Sequence, residues 1–200
     1  MVKAIFIDFE GVVTARWNIF HGIMFETSLK HYMTMEEMEK RYAKARVGKL
    51  SFEEFLKGVP ASEHYSFLEH VKYRKGSREA LKILRKKWAL YIASNHVSGF
   101  FEKEIEQLDA KRYFRKLFAS HLMGKAKPNR AFFEQMLKET GLKADECVFV
   151  DDAKRNLEAA KKLGFVTVWM NNECDDKRNK TLFKPDFEIK DLRELEKLIN

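Results

Sequence analysis

The sequence predicts an α/β fold, a parallel sheet with helices on both faces and one helical insertion early in the chain. Three observations predict it. Ala4–Ile7, Leu90–Ala93 and Cys147–Val150 are short apolar runs rich in β-branched and aromatic residues, the pattern of strands buried on both faces. From Gly76 onward such runs alternate with helical patterns, and that alternation specifies a parallel sheet with crossover helices. The three runs give out at Asp8, at Ser94-Asn95 and at Asp151-Asp152. These are the carboxyl ends of strands, where sheets of this kind bind ligands.

After the first run the alternation stops for about sixty residues. Thr34 with Glu37, and Ser51 with Glu54, have the spacing of capping boxes, each opening a helix. Met35, Met38, Tyr42 and Ala45 recur at helical spacing, as do Phe52, Phe55 and Leu56. The segment from Ala15 to Lys75 is therefore expected to be helical throughout and to form a small domain, 15–75, inserted between 1–14 and 76–200. Its methionine and aromatic stripes are read as the core of that unit.

Ser77-Arg78-Glu79 is expected to cap a helix that turns Ala80, Leu81 and Leu84 inward, ahead of the strand at Leu90–Ala93. A helical stretch over Val97–Tyr113, a short strand at Lys116–Ala119 and a helix over Asn129–Thr140 follow. After the Cys147–Val150 strand, Leu157, Ala160 and Leu163 mark another helix, Phe165–Trp169 another strand, and Asp191 with Glu194 the cap of a last helix. Asn171–Lys184 is polar and reads as a loop.

Composition narrows the function. The 200 residues suffice for one core domain with a small insertion, and no apolar run reaches the ~18 residues of a membrane span. The chain moves directly into Val2-Lys3-Ala4-Ile5 with no signal-peptide pattern, and Cys147 and Cys174 are its two cysteines. A cytoplasmic location and no membrane association are therefore expected. The net charge of +8 favours anionic ligands, but 38 basic and 30 acidic residues are interleaved along the helices. Such interleaving is the pattern of a solvated, ion-paired surface and argues against a nucleic-acid partner.

Asp8 and Glu10 stand two residues apart, so on an extended chain both face one crevice, and Gly11 lets the chain turn away. Two acids so placed suit a nucleophile beside a proton carrier, or a metal site. Asp151 and Asp152 would repel each other unless a cation neutralised them, and oxygen-only donors suit Mg²⁺. The structural alternative is that Asp152 caps the helix beginning near Ala153. Ser94 can donate its hydroxyl to a phosphate oxygen, or act only as a turn residue. Lys127 can serve as a point charge, or lie on the surface ahead of Pro128 at a first helical turn. His96 is read as a loop histidine facing water. His21, His31, His64, His70 and His121 lack ligand spacing, and Arg16, Trp17 and Phe20 could shape a leaving-group pocket.

The order of an acid pair, a small hydroxyl, a lysine and a second acid pair, three of them closing an apolar strand, resembles the haloacid dehalogenase-like (HAD) hydrolase superfamily. The resemblance runs from Asp8 to the strand at Gly164–Val168. It implies a Rossmann-like core and, for 15–75, a small helical cap closing over the active site. It further implies that Asp8 is the nucleophile that forms an aspartyl-phosphate. Glu10 would protonate the leaving oxygen and then activate water. Ser94, Asn95 and Lys127 would hold the phosphoryl group, with Asn156 a supporting residue. Mg²⁺ would be bound by Asp8, the main-chain carbonyl of Glu10 and Asp152, with Asp151 helping directly or through water. Glu10 departs from the commoner second Asp, and its acid argues for ester hydrolysis over dehalogenation or phosphonate cleavage. An Asp-x-Glu-Gly motif is similar to that of the enolase-phosphatase branch. The expected activity is Mg²⁺-dependent hydrolysis of a small phosphorylated metabolite. A phosphosugar mutase using the same residues, and a catalytically silent basic binding module, are the alternatives.

Overall fold

A computed structural model describes residues 1–15, 29–172 and 179–199 of the chain. Strand β1 (Ala4–Ile7) leads through a tight loop into the insertion, whose described part holds helices α1 (Met35–Ala45) and α2 (Phe52–Phe55). Then follow α3 (Ser77–Lys87), β2 (Ala89–Ser94), α4 (Phe100–Gln107), β3 (Lys116–Ala119), α5 (Ser120–Met123) and α6 (Arg130–Thr140). The chain continues with β4 (Cys147–Asp151), α7 (Lys154–Lys161), β5 (Val166–Met170), β6 (Phe187–Ile189) and α8 (Leu195–Leu198). The six strands form one parallel sheet in the order β3-β2-β1-β4-β5-β6. Its order reverses between β1 and β4, which opens the crevice used for ligands in doubly wound sheets.

Alternation along the strands divides the core into two layers. Ile5, Ile7, Leu90, Ile92, Val148 and Val150 face α3, α4 and the C-terminal turn, meeting Ala80, Leu81, Leu84, Phe101, Ile105, Leu192 and Leu195. Phe6, Tyr91, Ala93, Phe118 and Phe149 face α6 and α7, meeting Phe132, Phe133, Met136, Leu157 and Ala160. This second layer is largely aromatic, with Phe6 stacked on Tyr91 at 4.8 Å between ring centroids. Offset and tilted aromatic pairs of this kind add to the stabilisation from burial.

Several sequence expectations need correction. The insertion is not helical throughout: beyond α1 and α2 its described residues make only short 3₁₀ turns at Leu29–His31, Ala61–Glu63 and Ser66–His70. Ser51 and Glu54 form both arms of a capping box at 3.1 and 2.8 Å, whereas Thr34 supplies one arm, accepting from Glu37 N. Gly76, not Ser77, occupies the cap of α3, and the Ser77 hydroxyl donates to Val12 O. The stretch expected over Val97–Tyr113 is broken at Asp109, whose φ of 48° ends helical hydrogen bonding before a 3₁₀ turn at Ala110–Tyr113. Pro128 precedes the helix rather than entering it, because Asn129 is the N-cap of α6. Strand β6 has no counterpart in the sequence reading; it is three residues long, follows Pro185 and leaves Phe187 and Glu188 exposed at the sheet edge.

The insertion joins the sheet layer through two short segments bridged at Thr14 and Tyr73, where Ala15 N donates to Lys72 O and Arg74 N to Val13 O. Its apolar cluster is not self-contained. Leu29, Met38, Phe55, Leu56 and Phe67 pack around Val97 and Phe100. The Phe100 ring, from α4, lies 4.9 Å from Phe67 and 5.0 Å from Phe52 between centroids. Gly48 sits so close to α5 that a Cβ there would lie 2.5 Å from the His121 main-chain oxygen. Among the described residues, no helix is long and apolar enough to cross a membrane.

Candidate active site

β1 ends at Ile7, so Asp8 and Glu10 are placed by a loop rather than by strand pleating. Asp8 is extended, and its amide donates to Val150 O on β4 at 2.9 Å. The chain then winds through Phe9–Val13, closed by Thr14 N donating to Phe9 O at 3.0 Å. Gly11 has φ 79°, in the left-handed region that favours glycine, and this lets the loop reverse over so few residues. Register sets Ile7 beside Ile92 and Val150, which brings Asp8 to the same end of the sheet as Ser94 and Asp151.

Lys127 is the hub. It is buried, and its Nζ donates to Ala93 O at 2.6 Å and to Asp151 Oδ2 at 2.6 Å and lies 3.1 Å from Asp8 Oδ1. The reading of Lys127 as a surface residue is excluded. Asn95 grips its main chain from both sides, Nδ2 donating to Lys127 O and Oδ1 accepting from Lys127 N, each at 2.8 Å. Asn95 thus orients the lysine. Ser94 is fully buried at the end of β2.

The two adjacent aspartates differ. Asp151 accepts from Lys127, from Ala153 N at 2.8 Å and from Asn156 Nδ2 at 3.0 and 3.1 Å, so its carboxylate braces the lysine and the loop. The residue whose side chain accepts at the start of α7 is therefore Asp151, not Asp152. Asp152 is held by its main chain, with Trp169 Nε1 donating to its carbonyl at 3.0 Å, and its Oδ2 is 3.4 Å from Asn172 Nδ2. Asp8, Asp151 and Asp152 offer carboxylate oxygens within 4.8 Å of one another. Three buried hard oxygen donors beside one lysine fit a divalent cation such as Mg²⁺.

The Glu10 side chain falls in a different group. With His96 and Glu104 it forms a second buried cluster, ligand atoms again within 4.8 Å. The His96 ring is buried, against the expectation that it faces water, and its Nε2 lies 3.3 Å from Glu104 Oε1. Sequence reasoning missed Glu104. The signal was its place on the inward face of α4, four residues after Phe100 and one before Ile105, where an apolar residue belongs. Asn172 and Trp169 were also missed. Arg16, Trp17, Phe20, His21 and Cys174 lie outside the described residues, as do 16–28 of the insertion and 173–178 of the polar loop.

Burial pushes the Asp8 carboxyl up to about 6, opposed by Lys127 and aided by Asp151. Burial pushes Glu10 up to about 8; His96 opposes this, while Glu104, Asp8 and Asp152 reinforce it. Burial works against charge on His96, but Glu104 and Glu10 outweigh it and raise the imidazole to about 9. All three groups bind protons more tightly folded than unfolded, so each loses stabilisation as pH rises. The windows run from the ordinary 3.8 to about 6 for Asp8, 4.5 to about 8 for Glu10 and 6.5 to about 9 for His96. In excess chelator the thermal midpoint is therefore expected to fall between roughly pH 5 and pH 9. Mg²⁺ should raise it more at pH 8 than at pH 5, where Asp8 is protonated. Differential scanning fluorimetry checks this, and a midpoint that climbs with pH in chelator would contradict it.

Comparison with known proteins places this geometry. The model of the family described as haloacid dehalogenase-like hydrolase matches residues 10–170. The chain is 32% identical over 107 residues to a D-ribitol-5-phosphate phosphatase of Bacteroides thetaiotaomicron, covering 50% of this chain and 51% of that protein. It is 28% identical over 121 residues to a phosphoglycolate phosphatase of Pseudomonas savastanoi pv. phaseolicola, covering 60% and 44%. The chain thus spans about half the length of these relatives. A HAD family enzyme from Bacteroides thetaiotaomicron, solved with magnesium and inorganic phosphate, superposes with TM-score 0.76 at 21% identity, covering 90% of this chain and 100% of that one. L-2-haloacid dehalogenase from Xanthobacter autotrophicus superposes at 0.72 with 14% identity, covering 100% and 98%. At those identities the superpositions speak for the fold. The family model, which spans most of the chain from Glu10 through β5, carries the assignment: this protein belongs to the haloacid dehalogenase-like hydrolases.

Proposed function

We propose that the protein is a Mg²⁺-dependent phosphatase that hydrolyses a small phosphate monoester through an aspartyl-phosphate on Asp8. The observation that carries this reading is the buried meeting of Asp8, Lys127, Asp151 and Asp152 at the switch point of the sheet. An acid nucleophile attacking a phosphate dianion needs its own charge and that of the substrate neutralised. Lys127 supplies one positive charge at the nucleophile. Asp8, Asp152 and the Glu10 carbonyl would hold Mg²⁺, with Asp151 contributing directly or through water. When bound, the ion neutralises phosphate oxygens and aligns them for in-line attack.

Asp8 attacks phosphorus as Glu10 gives its proton to the departing oxygen. Glu10, now ionised, takes a proton from water as that water opens the acyl phosphate, and Asp8 is regenerated. A carboxyl raised to about 8 by burial holds its proton at neutral pH, as the first step requires. Ser94 would donate to the phosphoryl group and Asn95 would keep Lys127 aimed at it. Residues 15–75 would form a cap that selects the substrate. The names of the two relatives, phosphatases of a sugar-alcohol phosphate and of a small acid phosphate, support a small phosphorylated metabolite as substrate.

The test is phosphate release from p-nitrophenyl phosphate with and without divalent ions. Chelation is expected to stop turnover. Asp152→Ala should weaken Mg²⁺ binding by more than Asp151→Ala does, because Asp151 is already committed to Lys127, Ala153 and Asn156. Asp151→Ala should instead lower stability, by roughly 3–5 kcal/mol, since it strands Lys127 in the interior. Undiminished activity in excess chelator would remove the metal from the mechanism.

A further inference from the structure

Glu104 is the least expected residue in the core. It is fully buried on α4 between Phe100, Phe101 and Ile105, and among the described residues neither carboxylate oxygen receives a hydrogen bond; its partner is the His96 ring at 3.3 Å. An ion pair of this kind is rarely worth its desolvation as a source of stability, since apolar residues of similar volume do as well or better. The same side chains therefore call for a role other than holding α4 in place.

The main chain of His96 is held on both sides. His96 N donates to the Ser120 hydroxyl at 3.0 Å, and His96 O lies 3.0 Å from His121 Nδ1. His96 Nδ1 lies 3.0 Å from Val97 N and 3.3 Å from Val97 O, and Nε2 faces Glu104 at 3.3 Å. Beside this pair stands Glu10, whose buried Oε1 has no hydrogen-bond partner among the described residues and whose carboxylate is within 4.8 Å of both other groups.

We propose that His96 and Glu104 are positioning residues for Glu10: Glu104 anchors the imidazole, and the imidazole fixes the direction of the Glu10 carboxyl toward the leaving oxygen. This rests on the reading of Glu10 as the acid–base residue. It also accounts for the longer side chain at this position, since a glutamate carboxyl can reach the imidazole behind the nucleophile loop. The pair belongs to a cluster separate from that of Asp8, Asp151 and Asp152, so its removal is expected to leave phosphate and Mg²⁺ binding in place.

The test compares Glu10→Gln, His96→Gln, Glu104→Gln and the double variant Glu10→Gln/His96→Gln in the full chain with Mg²⁺. The rate is read on p-nitrophenyl phosphate and on glycerol 2-phosphate. Glu10→Gln should lose about 10²–10⁴-fold on the alkyl ester, whose alkoxide needs a proton, and less on the aryl ester. His96→Gln and Glu104→Gln should show the same selectivity at smaller size, about 10–10²-fold on glycerol 2-phosphate with near-normal KM. In the Glu10→Gln background His96→Gln should cost nothing further. Glu104→Gln is nearly isosteric and serves where a His96 variant folds poorly. Equal losses on both esters, or losses that add to that of Glu10→Gln, would overturn the proposal and leave Glu10's role standing. If Glu10→Gln itself shows no preference between the esters, the acid–base reading fails first and the proposal falls with it.

Discussion

Asp8→Asn is expected to abolish turnover and, in metal-free protein at pH 8, to raise stability. The amide cannot attack phosphorus, and the nearby carboxylates of Asp151 and Glu10 are engaged elsewhere. Asp151 is bonded to Lys127, Ala153 N and Asn156, and the Glu10 side chain points into the cluster with His96 and Glu104. The gain in stability follows from the same geometry. Burial and Asp151 together outweigh Lys127 and lift Asp8 to about 6 from an ordinary 3.8, so its charge is a net cost to the fold at pH 8. Removing it should return on the order of 1–3 kcal/mol. Denaturant titration in chelator at pH 8 and pH 4 separates the effects: the gain should shrink at pH 4, where wild-type Asp8 is protonated. Turnover by the asparagine variant, once deamidation is excluded, would sink the nucleophile assignment. A stability loss at pH 8 would sink only the electrostatic account. Stability given up at a catalytic group is a recurring trade.

The sheet was legible because its signal is local. Ile5 and Ile7, Leu90 and Ile92, Val148 and Val150 belong to three four-residue apolar runs whose ends name themselves by a change to Asp, Ser or Asp-Asp. The meeting of Asp8, Ser94 and Asp151 at one end of the sheet was legible for the same reason, since parallel pairing must bring those strand ends together. What could not be read depends on contacts far apart in sequence. β6 has three residues and exists only because β5 offers it an edge. The helical estimate for the insertion followed its periodicity, but Phe55, Leu56 and Phe67 pack around Phe100 from α4, and an aromatic borrowed from another element lets short turns stand where longer helices were expected. The burial of His96 was hidden similarly. Its loop reads as polar, and the ring meets Glu104 on the next helix while Ser120, past the next strand, holds its main chain.

Lys127→Met is expected to have the second largest effect, on stability as well as on rate. The methionine keeps most of the buried stem and removes the one charge shared by Asp8, Asp151 and Ala93 O. Two carboxylates then face each other in the interior without a cation. Removing one partner of a buried pair typically costs about 3–5 kcal/mol. With the lysine gone, Asp8 should take up a proton at still higher pH, because Lys127 is the main influence holding its pKa down. The stability defect should therefore be largest near pH 8 and diminish toward pH 5, as protonation of Asp8 relieves the repulsion. Catalysis does not recover along with stability. A protonated Asp8 cannot attack, and the transferring phosphoryl group has lost a donor whose removal at comparable sites costs about 10²–10³-fold. Lys127→Arg should fail to rescue the rate, since the slot bounded by Ala93 O, Asp151 and the Phe149 ring, 5.5 Å from Nζ, fits a compact ammonium rather than a planar fork. Added Mg²⁺ should partly restore stability at pH 8 without restoring turnover, because it neutralises the carboxylates from the other side. Urea titrations at both pH values, paired with kcat/KM, decide the matter: a defect of the same size at pH 5 and pH 8 would mean that lost packing, not exposed charge, is what Lys127 prevents.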